Sequence, residues 1–366
     1  MKVEGKAKFA VDNAFYRSKS QVVRDLGVLA AKVYQMENGH LRVLDAMSGC
    51  GVRSLRYYLE SDADWIWANE GNPENAPILQ HNLQEILATG NCQITHLDAN
   101  RVFFDCSDRQ DYYDLVDVDC FGSGVPYLNT SLWAVKKGGL LYFTVTDGLM
   151  LSGHNPNKSL ADYGVYARSH PASQEQGLRL VIGAVQQQAA TKGFGIKPIF
   201  SLFASPTFRV MLRLVNKPFI TPKNYGFLGY CHSCGHYQTI SWRQLGKANC
   251  PNDNSFLTLT GPMWLGELHS SKYIEKMANL AREWEWKERV SLLETMEAEA
   301  NFPPYYYTLG EIGRRGKMDV PKRSHLIQAL QENGYKATET HINPQAIKTN
   351  ANFNDCMNIA RSLTDT

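Results

Sequence analysis

The run Tyr113-Asp114-Leu115-Val116-Asp117-Val118-Asp119-Cys120-Phe121-Gly122-Ser123-Gly124-Val125-Pro126-Tyr127 mixes apolar residues with aspartates and stops at Asp119, where a carboxylate meets an aromatic residue and a glycine-rich turn. A buried strand of this kind delivers an acid and a stacking ring to the carboxyl edge of a sheet, where open α/β folds bind ligands. Upstream, Leu41 to Asp45 reads as a second short strand. Ala46-Met47-Ser48-Gly49-Cys50-Gly51-Val52-Arg53 reads as a small-residue turn into a helix. Glu70 closes the next strand, Trp65 to Ala68, roughly one βαβ unit later. These segments predict a cofactor site beside an acid able to handle an amine.

Working outward, apolar runs alternate with helical stretches from Leu41 to about Val215. Strands are expected at Leu41 to Asp45, Trp65 to Ala68, Gln93 to Leu97, Leu115 to Asp119, Gly139 to Thr146, Ile196 to Ala204 and Thr207 to Leu214. Helices are expected at Val52 to Leu59, Pro73 to Leu87, Pro126 to Val135 and Gln174 to Ala190. Ser205-Pro206 is too short for a parallel crossover, so the last two strands form an antiparallel hairpin. A mostly parallel Rossmann-like α/β sheet closed by such a hairpin resembles the class I methyltransferase arrangement. Plain dinucleotide-binding folds lack it. The expected division is an amino-terminal segment, 1–40, an α/β domain, 41–220, and an α+β carboxyl-terminal domain, 221–366. The last holds a cysteine-containing knuckle at 225–262 and a winged-helix-like unit at 305–350, with a second helix from Pro321 to Glu332 stopped by Asn333-Gly334.

The 366 residues carry a formal net charge of only +2, so a nucleic-acid surface has to come from local clustering. No window is long and apolar enough to span a bilayer, and the amino terminus lacks the apolar core of a secretory signal, which predicts a cytoplasmic, membrane-free protein. Eight cysteines are too few for a disulfide scaffold and are read as reduced.

Each motif has a plainer reading beside the functional one. Gly49 and Gly51 let the backbone approach a ligand at a helix start, or simply turn the chain. Glu70 suits two ribose hydroxyls. Asp98, with Ala99, sits where a carboxylate reaches an adenine edge, or caps a turn. At Asp119, a carboxylate and a neighbouring carbonyl, that of Cys120, would take the two protons of an aromatic amine and aim its lone pair, with Phe121 stacking on the base. The plainer reading makes Asp117 and Asp119 turn caps. Cys231, Cys234 and Cys250 form most of a structural zinc site lacking a fourth cysteine, with His232, His236 or Asp253 to complete it. Arg314, Arg315, Lys317, Lys322 and Arg323 concentrate positive charge around one helix, either a solvated face or a phosphate-backbone surface.

The ordered set of motifs resembles the tRNA guanine-26 N2-dimethyltransferase family over nearly the whole length. Glu4-Gly5-Lys6-Ala7-Lys8, Phe15-Tyr16 and Arg24-Asp25-Leu26 resemble its amino-terminal motif. Leu44-Asp45-Ala46 through Arg56 resembles its cofactor loop, and Asp98-Ala99-Asn100 its third-strand motif. Asp119-Cys120-Phe121-Gly122-Ser123 resembles its catalytic Asp-Pro-Phe-Gly-Ser, and Ile347-Lys348-Thr349-Asn350-Ala351 its terminal motif. The resemblance implies S-adenosylmethionine as donor and a tRNA guanine N2 as acceptor, most simply at position 26. It implies cofactor contacts from Arg24, Arg53, Glu70 and Asp98, with Asp119 as the catalytic acid; Asp45, closing the first strand, is a further expected cofactor-binding residue, and no obligate protein partner is expected. Cys120 and Gly124 stand where the family has prolines, and Arg17-Ser18 replaces an Asn-Pro. These losses loosen the preorganisation of the main-chain carbonyl. The rival expectation is a catalytically weak tRNA-binding or chaperone protein on the same scaffold.

Overall fold

The computed structural model describes residues 1–364, which group into two compact units. The first comprises 1–146, 185–219 and 272–293, and the second 147–184, 220–271 and 294–364. The expected domains were consecutive spans; the compact units are interleaved along the chain.

The first unit is built on seven strands: β1 (Arg42–Asp45), β2 (Trp65–Asn69), β3 (Cys92–Thr95), β4 (Tyr113–Asp119), β5 (Val135–Val145), β6 (Gly195–Ala204) and β7 (Thr207–Val215). Their order across the sheet is β3-β2-β1-β4-β5-β7-β6. The first five run parallel, and β7 is antiparallel to both β5 and β6. Ala204 pairs with Thr207 across Ser205-Pro206, which makes the hairpin expected from that two-residue loop. The strand order reverses between β1 and β4, and this switch point is where open α/β sheets leave a crevice at their carboxyl ends.

Central position explains the composition of β4. Its residues from Tyr113 to Val118 are all buried, as a strand covered on both faces must be. The aspartates are tolerated because each has partners. Asp114 accepts from Tyr34 at 2.9 Å and from the Arg42 amide at 2.9 Å, while Asp117 accepts from Tyr57 at 2.7 Å and Arg53 at 2.9 Å.

Helices α1 (Gln21–Asn38), α2 (Val52–Ser61), α3 (Ala76–Ala88) and α4 (Ala99–Asp108) belong to this unit, and α5 (Ser173–Thr191) crosses the boundary between the two units. Gly39, at φ +75°, stops α1 with its amide on the Gln35 carbonyl at 2.8 Å. The helix expected from Pro126 to Val135 is absent. Two 3₁₀ turns, Val125–Tyr127 and Thr130–Trp133, take its place, and β5 starts earlier than expected, at Val135. Lys192 donates to the Asn129 carbonyl at 3.0 Å and the Thr130 hydroxyl to the Pro126 carbonyl at 3.4 Å, side-chain bonds to backbone acceptors that compete with helix continuation.

The first unit also holds a buried ionic network. Arg56 reaches Glu4 at 2.8 Å, Asp25 at 2.7 Å and Glu60 at 2.8 Å, and Arg24 grips Glu4 through two 2.6 Å bonds. Arg289, on α7 (Lys287–Glu299), adds a 2.7 Å contact to Asp25, and Tyr273, on α6 (Ser271–Glu283), donates to the Ala30 carbonyl at 2.8 Å. The charged stretch from Ser271 to Glu299 is two helices, parted at Glu285, whose φ is +59°.

In the second unit β8 (Tyr225–Tyr230), β9 (Tyr237–Ile240) and β10 (Thr258–Trp264) form an antiparallel sheet ordered β9-β8-β10. A further three-stranded sheet joins β11 (Tyr307–Thr308), β12 (Ala337–Glu339) and β13 (Ala346–Thr349) in the order β11-β13-β12. With α8 (Leu309–Gly316) and α9 (Arg323–Glu332) this is the winged-helix-like pattern, and α9 ends at Asn333 and Gly334 (φ +84°) as read from the sequence. Helix α10 (Phe353–Ser362) follows.

Candidate active site

A cleft of about 790 Å³ opens at the carboxyl ends of the strands, lined among others by Phe15, Gly49, Glu70, Asp98, Asp119 and Phe121. That size suits a small-molecule site. Asp119 is the last residue of β4, and its side chain remains 26% exposed, enough to meet a ligand. Arg53, from the start of α2, holds one of its oxygens at 2.7 Å, and Arg209, from β7, holds the other at 3.2 Å. Burial alone would raise the Asp119 carboxyl, but Arg209 and Arg53 outweigh it and hold the group well below the ordinary carboxylate range. It is therefore an anion fixed in direction, a stronger hydrogen-bond acceptor than proton reservoir.

Arg53 spends its other nitrogen on Asp117, so its guanidinium positions two strand-end carboxylates. Arg209 also donates to the Thr144 hydroxyl at 2.7 Å. Sequence reasoning missed Arg209, although an arginine at an otherwise apolar, alternating position of Thr207–Val215 was a signal that a buried partner awaited it.

Phe121 is 73% exposed and meets Phe15, itself 63% exposed, edge to face at 4.7 Å. Two large exposed rings bordering a cleft offer a stacking surface for a planar heterocycle. Gly122 adopts φ +74°, and both its amide and its carbonyl are bonded to Thr146 Oγ1 at 2.8 and 3.0 Å. The Cys120 thiol is buried and directed at the Thr144 carbonyl at 3.3 Å, away from any nucleophilic role.

On the cofactor side, Gly49 (φ +56°) and Gly51 (φ +82°) sit in the left-handed region that favours glycine. A Cβ on Gly51 would lie 2.7 Å from Leu79 Cδ1. Glu70, following β2, accepts from the Gly49 amide at 2.7 Å and from the Asn72 amide at 2.8 Å, so it ties the two loops that face the cleft. Asp98 is exposed and caps α4 through the Asn100 amide at 2.9 Å, with Ala99 buried beside it. The plainer capping reading is thus true of Asp98, and compatible with its place on the cleft wall. Arg24 lines the cleft while bound to Glu4 and lying 4.9 Å from the Tyr16 ring. Asp45 is not among the lining residues. It is fully buried, accepts from Ser54 at 2.7 Å, and burial together with neighbouring Asp117 pushes its carboxyl up to about 7. Loops tied by glycine turns, a carboxylate after β2 and another after β3 suit an adenosine cofactor: they place a glycine-turned backbone and two acid groups at the cleft.

In the second unit Cys231, Cys234, Cys250 and Asp253 each offer a donor atom within 4.8 Å of the others. Cys234 Sγ lies 3.4 Å from Cys250 Sγ, and Cys231 Sγ lies 3.5 Å from an Asp253 oxygen. Zinc–sulfur bonds of about 2.3 Å in a tetrahedron require sulfurs roughly 3.8 Å apart, so this donor set fits the ion. Asp253 stands where a fourth donor would be needed; among the described residues His232 and His236 stay outside the cluster.

The sequence pattern of N2,N2-dimethylguanosine tRNA methyltransferases matches residues 1–361. A tRNA (guanine(26)-N(2))-dimethyltransferase of Pyrococcus abyssi is 29% identical, covering 98% of both chains. Its counterpart in Pyrococcus horikoshii is 30% identical, over 96% of this chain and 95% of its own. Among solved structures, Trm1 from Pyrococcus horikoshii in complex with S-adenosyl-L-methionine superposes with a TM-score of 0.85 at 28% identity, covering 98% of each chain. The agreement runs through both units and the whole cleft-bearing sheet, so the chain belongs to the N2,N2-dimethylguanosine tRNA methyltransferase family.

Proposed function

We propose that this protein methylates the exocyclic N2 of guanine 26 in tRNA, giving N2-methyl- and N2,N2-dimethylguanosine, with S-adenosylmethionine as donor. The observation that carries the reading is the Asp119 carboxylate, kept ionised by two arginines and facing the same cleft as Glu70, Asp98 and the exposed Phe121 ring. Relatives that cover nearly all of the chain act on guanine 26, and the solved relative holds S-adenosyl-L-methionine, which supports the same pairing here.

Bound S-adenosylmethionine supplies an electrophilic methyl group. Glu70 and Asp98 bind the adenosine part, and the loop at Ala46 to Gly51, with Gly49 and Gly51 in left-handed turns, lets the backbone close on it. Arg24, held by Glu4, faces the cofactor from the cleft wall, and Asp45 acts behind the loop through Ser54.

The target guanine has to leave its stack to reach the cleft, and Phe121 with Phe15 offers the flipped base a ring surface. Guanine N2 is a weak nucleophile because its lone pair is delocalised into the ring. Asp119 accepts one N–H and the Cys120 carbonyl the other, which fixes the amine and turns its lone pair toward the methyl. Positive charge then grows on N2, and the anionic Asp119, preorganised by Arg53 and Arg209, stabilises it. An N-alkylated anilinium-like nitrogen is strongly acidic, so even a carboxylate held low takes its proton.

We further propose a structural zinc ion in the cysteine knuckle and a cytoplasmic place of work on tRNA, without an obligate protein partner. No described helix is long and apolar enough to cross a membrane. A binding-only protein would have no use for an acid clamped by two buried arginines at the cleft.

The test is transfer of labelled methyl from S-adenosylmethionine to unmodified tRNA, followed by nucleoside analysis. Label in N2-methylated guanosine, lost from a transcript carrying adenosine at position 26, is expected. Label at another atom, or none, defeats the reading.

A further inference from the structure

A second group of metal-ligating side chains lies in the second unit, away from the knuckle. His269 follows β10, Glu299 ends α7, and His341 follows β12; their side chains are at most 1% exposed. His341 Nδ1 is hydrogen-bonded to Glu299 Oε1, which also accepts the His341 amide at 3.2 Å. His269 Nε2 stands 3.8 Å from the same oxygen, and the two imidazoles meet at 5.1 Å with their planes 72° apart. One donor atom from each of the three residues lies within 4.8 Å of the others. Glu299 Oε2 and His341 Nε2 are buried with no hydrogen-bond partner.

We propose that His269, Glu299 and His341 form a second metal site, which takes zinc or another late first-row divalent ion. Two imidazoles and one carboxylate are a donor set zinc accepts, with a fourth position left for water. Buried acceptors without donors are costly, and a cation supplies what they lack. The neighbouring cations have an anion of their own: Glu175 takes Lys348 at 2.8 Å and Arg179 at 2.7 Å. Glu175 and Glu299 cancel Arg179 and Lys348, so an ion carrying a bound hydroxide leaves one net positive charge. The three ligands have to outweigh that cost. An ion here would staple the exits of two strands to the end of a helix, and so bind three separate stretches of the unit.

The site is closed, so the ion enters as the chain folds, and metal content has to be read on protein made in cells supplied with it. Full-length protein from zinc-supplemented culture is compared by elemental analysis with His269→Gln/His341→Gln and with Cys231→Ser/Cys234→Ser/Cys250→Ser. The histidine variant is expected to carry one metal equivalent less than the parent, and the cysteine variant to retain one. Equal metal in the parent and the histidine variant overturns the proposal. Because the histidine variant can fail to fold, the cysteine variant is also grown on cobalt. Visible ligand-field bands without thiolate charge transfer, absent when Glu299→Gln is added, are the expected result. Absence of cobalt from the cysteine variant overturns the proposal as well.

Discussion

At Asp119 the balance between burial and two guanidinium groups decides what the carboxylate can do. Asp119→Asn keeps the shape and loses the charge, while Arg53 retains Asp117 and Arg209 retains Thr144. The variant should fold and bind S-adenosylmethionine nearly normally, yet lose about a hundredfold or more in single-turnover methyl transfer. Parent-like single-turnover rates would remove Asp119 from the chemistry. Asp45 presents the opposite electrostatics. Folded, it keeps its proton up to about 7; unfolded, it loses the proton near the ordinary value of roughly 3.9. Between those values the folded chain binds more protons than the unfolded one, so this residue lowers stability as pH rises from about 4 to 7, at up to roughly 1.4 kcal/mol per pH unit. Asp45→Asn imitates the protonated acid. Denaturant melts should show a flatter slope across that window and a gain over the parent at pH 8; an unchanged slope would assign the pH dependence to other groups. Asp119 and Asp45 were both legible in the sequence as strand-end acids. Their opposite charge states were not, because Arg209 and Asp117 come from strands distant in the chain.

At the scale of elements, the basic stretch around α8 divides into two kinds of residue. Arg315 is spoken for: it donates to the Ser233 and His232 carbonyls at 2.7 and 3.0 Å and to the Tyr230 hydroxyl at 3.1 Å, and it pairs with Glu311 at 2.8 Å. It braces the cysteine knuckle. Arg323 is engaged with Glu339 at 2.7 Å. Lys317 and Lys322 remain exposed, and so does Arg314, although it pairs with Glu311 at 2.8 Å. Replacing those three with Ala should weaken tRNA binding and lower the salt slope by about one per lost phosphate contact, with cofactor affinity unchanged. Arg315→Ala should instead lower thermal stability or metal content. An unaltered salt slope in the triple variant would move the RNA surface elsewhere. The charge run was visible in the sequence, but its division was not, since a one-dimensional pattern cannot tell a bracing, half-buried arginine from an exposed one. For the same reason the β6–β7 hairpin was readable from a two-residue loop, whereas the helix expected at Pro126 failed in part to a long-range side-chain bond, from Lys192, that no local window contains.

For the whole molecule, the sequence supports the sheet and its closing hairpin but not the grouping of the chain, because compactness depends on contacts between distant segments. The α/β unit is not finished at residue 220: it recruits 272–293, whose Tyr273 and Arg289 meet the Ala30 carbonyl and the buried Asp25. Losing one member of a buried ionic network typically costs about 3 kcal/mol or more. A fragment of residues 1–220 should therefore melt well below the intact protein and bind S-adenosylmethionine poorly, and calorimetry on that fragment showing an equal transition would refute the dependence. The same arrangement sets a timetable for biosynthesis. A ribosome releases every residue of the cleft by Arg209, but the segment that underpins it emerges only after Lys272. During that interval the nascent chain carries a complete reaction centre on an incomplete foundation, and that is the stage at which chaperones and proteases have the most to act upon.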